Sequence, residues 1–187
     1  MCREKAVILD FDGVITRLNI DWDKLRSLVA SKTGLKLNSF LAFFEENYGT
    51  KQYDIVHEIV TEHEVKSIEH SEPYEDIYEF LETISMYYPV FIASMQSEKS
   101  IKLFLEKYSL IKYFSEILGR DRFGSKRKQL EYLISKIGLP NQCIFFIDDS
   151  WRNIKVCEEI GIKCMHLDRR EGSLLELIKE INSLKSI

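Results

Sequence analysis

Two aspartates, Asp10 and Asp12, follow directly after the apolar segment Val7–Leu9 and precede Gly13. Two carboxylates this close repel each other, and they are tolerable mainly when a divalent cation or a proton is shared between them. A site made only of oxygen ligands suits Mg²⁺. Glycine permits a sharp turn after the two acids. The pattern indicates a metal or proton-transfer site, and its alternative is a turn whose aspartates face water.

A second acidic pair, Asp148 and Asp149, ends the apolar segment Cys143–Ile147. Ligands of open parallel sheets bind outside the carboxyl ends of the strands. If the two apolar segments are neighbouring strands, Asp149 reaches the cation that Asp10 binds, and Asn153 on the next helical turn points back toward it. The alternative is that Asp149 and Ser150 only cap the helix that begins near Trp151.

Two further polar residues stand at similar junctions. Ser94 follows the apolar segment Val90–Ala93, where a hydroxyl and free backbone N–H groups bind a phosphate oxygen; the alternative is an ordinary helix start. Lys126 lies in the basic cluster Gly124–Lys128 just before a helix, where cations oppose the helix dipole. Such a lysine neutralises a carboxylate nucleophile and a bound phosphate. An exposed basic loop is the alternative, and Lys128 competes with Lys126 for the role.

The elements that must position these residues alternate along the chain. Short apolar segments rich in β-branched or aromatic residues predict strands at 6–9, 90–93, 143–147, 163–167 and, more weakly, 117–118. Apolar residues at helical spacing predict helices at 74–87, 98–108, 128–137, 151–160 and 173–184. This alternation predicts a parallel sheet covered on both faces, which is a three-layer α/β fold.

The segment from Arg17 to Pro73 interrupts the alternation. It has helical spacing throughout, with helices predicted at 21–33, 38–47 and 51–70 and no convincing strand. We therefore expect a core of residues 1–16 and 74–187 with an inserted helical cap of residues 17–73. The intervals between His57, His63 and His70 place them only approximately on one face, which favours a solvated helix surface over a metal site.

Composition excludes several functional classes. A net charge of −4 disfavours nucleic acid as a general partner. No window of 18 apolar residues predicts a membrane span, and the first residues lack the features of a signal peptide. The four cysteines form no C-x-x-C pair, so we expect reduced thiols in a cytoplasmic protein.

The four junctions together resemble the haloacid dehalogenase-like (HAD) superfamily. Its members have a strand ending in D-x-D-G-[TV], a strand ending in Ser or Thr, a lysine before a helix, and a strand ending in G-D or D-D. The matching residues here, in the same order, are Asp10, Asp12, Ser94, Lys126, Asp148 and Asp149.

The resemblance implies a Rossmann-like sheet with the small helical cap of the phosphoglycolate phosphatase and β-phosphoglucomutase branch. It implies that Asp10 is the nucleophile that forms an aspartyl-phosphate and that Asp12 is the general acid and base. Mg²⁺ would be held by Asp10, the backbone carbonyl of Asp12 and Asp149, with Asp148 as an orienting neighbour. Ser94 and Lys126 would bind the substrate phosphate.

Some residues depart from the family pattern. Met95 follows Ser94 where many relatives have Asn or Gly, and Ile147 replaces the common glycine before the last two aspartates. The presence of Asp12 argues against the dehalogenase branch, which lacks an alcohol to protonate.

We therefore expect an Mg²⁺-dependent phosphatase acting on a small phosphorylated metabolite. A phosphomutase or phosphotransferase, and a non-catalytic protein that only accepts phosphate, are the alternatives. The sequence specifies neither the substrate nor the oligomeric state.

Two groups in the predicted cap have open roles. The first group consists of Arg17, Asn19, Trp22 and Lys24. These residues either line the entrance to the site or form a hinge and the start of a helix. The second is expected to form a core stripe rather than a substrate pocket: Phe40, Phe43 and Phe44.

Overall fold

A central parallel sheet organises the chain, which a computed structural model describes at Cys2 and residues 4–183. Its strands are β1 (Ala6–Leu9), β2 (Val90–Ala93), β3 (Phe114–Leu118), β4 (Ile144–Asp148) and β5 (Lys163–His166). The strand order is β3-β2-β1-β4-β5, and every neighbouring pair is parallel. β1 therefore lies between β2 and β4, with Val7 opposite both Val90 and Phe145. The carboxyl ends of these three strands lie at one edge of the sheet.

The helices lie close to the predicted positions. Those within the described residues are α1 (Trp22–Thr33), α2 (Phe40–Asn47), α3 (Lys51–Ser67), α4 (Ile77–Ser85), α5 (Glu98–Lys107), α6 (Lys126–Ile137), α7 (Trp151–Ile160) and α8 (Leu174–Ser183). Short 3₁₀ turns occupy Ile68–His70, Ile111–Tyr113 and Asn141–Cys143. The last helix was predicted to reach Leu184, which lies outside the described residues. The predicted α/β class is correct.

Two apolar clusters cover the two faces of the sheet, because side chains alternate along each strand. Val7 and Leu9 of β1 belong to the cluster that contains Phe80 of α4 and Phe104 of α5. Ala6 and Ile8 belong to the opposite cluster, which also contains Leu130 and Leu133 of α6 and Cys157 of α7. This alternation produces the three layers and holds β1 rigidly at the centre.

The helices α1, α2 and α3, which we call the inserted helices, pack around an apolar cluster of their own. Phe40, Phe43 and Phe44 are all buried in it, as predicted for a core stripe, but Phe40 and Phe44 also line a cavity. At the base of the insertion Thr16 forms an isolated antiparallel bridge with Pro73, which brings the ends of the segment together. The division into residues 1–16 with 74–187 and residues 17–73 stays a prediction.

The cysteines differ from the sequence expectation of reduced thiols. Cys2 is bonded to Cys143 and Cys157 to Cys164, with Cα–Cα distances of 5.5 and 5.9 Å. The expectation is wrong because the fold brings the two cysteines of each pair within disulfide range, which the sequence pattern alone does not reveal. In the part of the chain that is described, no helix is long and apolar enough to cross a membrane.

Candidate active site

A cavity of about 510 Å³ opens at the carboxyl edge of the sheet. Asp10 and Asp12, which follow β1, line it together with Asp149, which follows β4. Because β1 and β4 are adjacent and in register, the two predicted acidic pairs meet at this edge. The helices and loops around this cavity determine the hydrogen bonds and the environment of each carboxylate.

Asp10 is held in place by both neighbouring elements. Its backbone N–H donates to the carbonyl of Ile147, which continues the pairing of β1 with β4. Its Oδ1 accepts the N–H of Phe11 at 2.8 Å and lies 3.0 Å from Nζ of Lys126. The second oxygen, Oδ2, accepts no hydrogen bond from the described residues. One oxygen of Asp10 is thus anchored, while the other is available for chemistry.

Lys126 is the first residue of α6, and its side chain is buried among acceptors. Nζ donates to the carbonyl of Ala93 at 2.5 Å and lies 3.2 Å from Oδ2 of Asp148, in addition to its contact with Asp10. Burial would lower the pKa of Lys126, but the two carboxylates outweigh it and raise the pKa. Its three N–H donors therefore have three acceptors. Lys128, the competing lysine, is exposed.

Asp148 is fully buried, and several donors fix its carboxylate. Oδ1 accepts the N–H of Ser150 at 2.8 Å, and Nδ2 of Asn153 lies 3.1 and 3.0 Å from the two oxygens. Burial and the nearby Asp10 raise the pKa of Asp148, and Lys126 offsets only part of this rise. Asn153 therefore binds Asp148, whereas the sequence pattern aimed it at the cation.

Three carboxylates converge at this point. Oxygen atoms of Asp10, Asp148 and Asp149 lie within 4.8 Å of one another. Burial, followed by repulsion from Asp10, raises the pKa of Asp149. Among the described residues, Lys126 is the buried cation that contacts this cluster, so the cluster carries excess negative charge and offers only oxygen ligands. This donor set fits Mg²⁺, and Asp148 joins the cluster although it was expected only to orient its neighbour.

Gly13 is required by the close approach of two loops. Its φ is +87°, a conformation that favours glycine, and a Cβ atom built on it would lie 2.2 Å from Oδ2 of Asp149. Any larger residue would displace the carboxylate of Asp149. Gly13 therefore belongs to the architecture of the acidic cluster.

Asp12 has a different environment from the other three acids. Its Oδ1 accepts the N–H of Leu18 at 2.8 Å, and its side chain lines the cavity without joining the three-carboxylate cluster. Burial is the main cause that raises the pKa of Asp12 to about 7, with repulsion from Asp10 and Asp149 adding to it. A carboxyl group with such a pKa both donates and accepts protons near neutral pH.

Ser94 lies at the end of β2, as predicted, but its hydroxyl is already engaged. It donates to Oε1 of Gln96 at 2.5 Å, and the carbonyl of Ser94 accepts from Nε2 of Gln129 at 2.6 Å. Ser94 is fully buried, and Met95 and Gln96 line the cavity on this side. Gln96 was missed because a glutamine two residues beyond a strand is too common a pattern to signal a site.

The entrance residues divide into two groups. Arg17, Asn19 and Trp22 line the cavity, and the positive charge of Arg17 acts to lower the pKa of both Asp12 and Asp149. Lys24 does not line it and instead pairs with Asp21 at the start of α1. The turn after Asp12 therefore supplies an exposed cation to the rim of the acidic cavity.

The comparison with known families matches this geometry. Residues 18–167 match the family described as haloacid dehalogenase-like hydrolase. The chain belongs to this family. The matched segment includes Ser94, Lys126, Asp148 and Asp149 and begins after the two aspartates that follow β1.

Individual relatives extend the comparison. The chain is 33% identical over 97 residues to human magnesium-dependent phosphatase 1, a match that covers 50% of this chain and 53% of that protein. The chain thus spans about half the length of this curated relative.

Solved structures are similar at the level of the fold. A haloacid dehalogenase-like hydrolase from Streptococcus pneumoniae has a TM-score of 0.73 at 15% identity, covering 97% of this chain and 100% of that chain. A structure described as a phosphoglycolate phosphatase from Lactobacillus plantarum has a TM-score of 0.61 at 15% identity, covering 86% and 84%. The chain therefore shares its fold with these two proteins.

Proposed function

We propose that this HAD-family hydrolase is an Mg²⁺-dependent phosphatase that cleaves a small phosphorylated metabolite through an aspartyl-phosphate on Asp10. One observation carries the proposal. Asp10 combines an anchored Oδ1 with an unengaged Oδ2, and it stands within an acidic cluster beside the buried Lys126. A nucleophile, a cation site and a compensating positive charge thus meet in one cavity.

The residues that would hold Mg²⁺ are Asp10 and Asp149 through their carboxylates and Asp12 through its backbone carbonyl, with Asp148 next to them. When bound, Mg²⁺ supplies positive charge between the nucleophile and the phosphate dianion, which otherwise repel each other. The excess of carboxylates over lysine in this cluster supports the assignment.

In the first half-reaction, Oδ2 of Asp10 attacks the phosphorus atom and a new P–O bond forms. The bond between phosphorus and the leaving oxygen breaks, and its electron pair stays on that oxygen. Asp12 donates a proton to the leaving oxygen, so a neutral alcohol departs. Lys126 contacts Oδ1 of Asp10 and so holds the nucleophile in position for the attack.

In the second half-reaction, Asp12 accepts a proton from a water molecule, whose oxygen attacks phosphorus. The P–O bond to Asp10 breaks, its electron pair returns to the carboxylate, and inorganic phosphate leaves. Both aspartates are then in their starting protonation states. Arg17 at the rim is the group placed to attract the phosphate dianion.

The test is hydrolysis of 4-nitrophenyl phosphate in the presence of Mg²⁺, with the alcohol and inorganic phosphate measured separately. We expect equal amounts of both products and loss of turnover in Asp10→Asn. Asp54→Asn is a matched control, because Asp54 is an exposed residue of α3, and it should retain turnover. Undiminished turnover in Asp10→Asn would contradict the proposal.

The same measurement separates the alternative reactions. Release of alcohol without phosphate, with the phosphoryl group found on an added acceptor, would identify a transferase. Phosphate that stays on Asp10 without turnover would identify a non-catalytic phosphate acceptor. Both results would contradict the phosphatase assignment while keeping Asp10 as the phosphorylated residue.

A further inference from the structure

A second cavity, of about 320 Å³, adjoins the catalytic one. The residues that line both are Asp12, Trp22, Leu41, Met95 and Gln96. In the proposed reaction Asp12 protonates the leaving oxygen, so the alcohol part of the ester begins where the two cavities meet. We call the second one the leaving-group cavity.

The walls of the leaving-group cavity are mainly carbon. Phe40, Phe44 and Val60 of the inserted helices line it together with the shared Trp22 and Met95. The ring of Trp22 meets the ring of Phe40 edge-on at 5.9 Å, and Phe40 stacks against Phe44 at 6.2 Å. These side chains offer ring faces and edges to an occupant and almost no hydrogen bonds.

Arg120, the buried cation beside this cavity, has no donor left for a substrate. Nε donates to Nδ1 of His57, and one terminal nitrogen donates to Glu64 and to the carbonyl of Met95. The other terminal nitrogen donates to Thr61 and to the carbonyl of His57. A guanidinium has five N–H donors, and all five are accounted for. Arg120 therefore does not favour an anionic leaving group.

The buried polar groups of this cavity are also committed, whereas Asn38 is exposed and Arg26 is half-buried. In addition to the hydrogen bond from Arg120, Glu64 accepts hydrogen bonds from the N–H of Ser97 and from the hydroxyl of Ser100. The hydroxyl of Ser39 caps α2, and Arg26 pairs with Asp23. In the buried part of the cavity, a leaving group rich in hydroxyls would lose its hydrogen bonds to water and find few replacements.

We infer that the phosphate ester cleaved here carries a small apolar or aromatic group as its leaving alcohol, an inference that rests on the proposed function. The size of the cavity sets the scale of that group. An apolar protein cavity of about 150 Å³ holds one benzene molecule. A cavity of about 320 Å³ therefore has room for one ring joined to the phosphate by a short chain, or for two fused rings.

The first test measures binding without cleavage. Phosphonates have a C–P bond in place of the ester bond, so they occupy the site without being hydrolysed. With Mg²⁺ present, calorimetry should find 2-phenylethylphosphonate bound about ten- to a hundredfold more tightly than ethylphosphonate, the range expected for burying one phenyl group. Equal affinities would overturn the inference, as would tighter binding of a polyhydroxylated alkylphosphonate of the same length.

The second test compares turnover of 2-phenylethyl phosphate and ethyl phosphate. Both are esters of primary alcohols, so the intrinsic ease of leaving differs little, and the ratio of kcat/KM reports on the cavity. We expect a ratio of about ten or more. Equal hydrolysis of both esters would overturn the inference and leave the proposed function intact. Absence of hydrolysis, with the phosphonate preference retained, would instead contradict the proposed function.

Variants of Val60 connect the preference to this cavity. Val60→Phe fills it and should reduce the phenylethyl-to-ethyl ratio about tenfold. Val60→Ala enlarges it and should shift the preference toward 2-naphthylethyl phosphate, which decides the question if the larger residue disturbs folding. Ile55→Phe is the matched control, because Ile55 is an exposed residue of the same helix, and it should keep the ratio of the parent protein. An unchanged preference in both Val60 variants would contradict the assignment.

Discussion

Two buried cations, Lys126 and Arg120, occupy similar depths in this molecule but stand in opposite electrostatic situations. Lys126 contacts two carboxylates, Asp10 and Asp148, and a third, Asp149, lies in the same cluster. Arg120 faces one carboxylate, Glu64, and neutral acceptors satisfy its other donors. One cluster has excess negative charge, and the other is balanced.

This difference in charge balance distinguishes a cluster suited to binding a ligand from a cluster that stabilises the fold. An unbalanced acidic cluster beside a cavity is costly unless a cation binds, so it is suited to a metal and to phosphate chemistry. A balanced pair with complete hydrogen bonding needs no ligand. Arg120 joins α3 of the inserted helices to the loop after β2, since it contacts Thr61 and the carbonyl of Met95. We expect it to stabilise the fold instead of acting on substrate.

The largest expected effect tests the balanced cluster. Arg120→Met leaves the fully buried Glu64 without its partner, and the free energy of unfolding should fall by about 3–5 kcal/mol. Arg122→Met, at an exposed neighbouring position, should cost at most about 1 kcal/mol. Denaturant unfolding of both variants measures the difference. A loss below about 1 kcal/mol in Arg120→Met would show that this pair is not structural.

The next effect tests the unbalanced cluster. Lys126→Met removes the charge that holds Asp10 in position, and kcat/KM for 4-nitrophenyl phosphate should fall by about 10²–10³. Lys128→Met, in the same turn but exposed, should change kcat/KM by less than about twofold. Steady-state kinetics with Mg²⁺ provide the measurement. The opposite ranking of the two lysines would assign the role to Lys128.

A smaller effect concerns the geometry of the acidic cluster. Gly13→Ala places a methyl group against Asp149 and should weaken Mg²⁺ binding about tenfold, or about 1.4 kcal/mol. Gly34→Ala has a comparable positive φ of 75° but open space around its Cβ, so it carries the backbone strain without the clash. Calorimetric titration with Mg²⁺ should find normal affinity in Gly34→Ala. Weakened binding in both variants would point to strain as the cause.

The smallest expected effect concerns the pH dependence of stability. It arises at Asp121, which faces His57, a hydrogen-bond partner of Arg120. Burial would raise the pKa of Asp121, but hydrogen bonds from His57 and from the N–H of Glu98 outweigh it and lower the pKa below its ordinary value. A carboxyl group whose pKa is lower in the folded state stabilises the fold above its ordinary pKa. This contribution is lost as pH falls through the folded value.

Asp121→Asn should therefore make the loss of stability in acid shallower. Because Asp121 is about one-third exposed, the difference should stay below about 1 kcal/mol. Denaturant unfolding at pH 7 and at pH 3 measures it. An identical acid dependence in the variant would mean that Asp121 does not contribute to this balance.

Local patterns in the sequence were enough to predict the strands and helices and to identify the four aspartates at the strand ends. The apolar segments before Asp10, Ser94 and Asp148 predicted β1, β2 and β4, because buried parallel strands are short and continuously apolar. Of the strand order, we supposed from the sequence only that β1 and β4 are neighbours, and the structure confirms that adjacency. β3 was predicted only at 117–118, because its first residues alternate between partly buried and exposed at the sheet edge.

Contacts between residues far apart in the chain could not be predicted from the sequence pattern. His57 was expected on a solvated surface, yet its ring accepts from Arg120 and faces Asp121. The hydroxyl of Ser94 was expected to face phosphate, yet it donates to Gln96. In both cases the hydrogen-bond partner is determined by how helices and strands pack against each other, which residue type alone does not predict.

The sequence by itself determined the α/β fold, the family resemblance and the four aspartates at two strand ends, because strand periodicity and strand-end polarity are local properties. Only the tertiary structure decided which acids converge, that Lys126 reaches them while Lys128 does not, and that an apolar cavity adjoins Asp12. These depend on strand order and helix packing, which bring together residues far apart in the chain. The two disulfides belong to the same class, since the distance between two cysteines is a property of the fold.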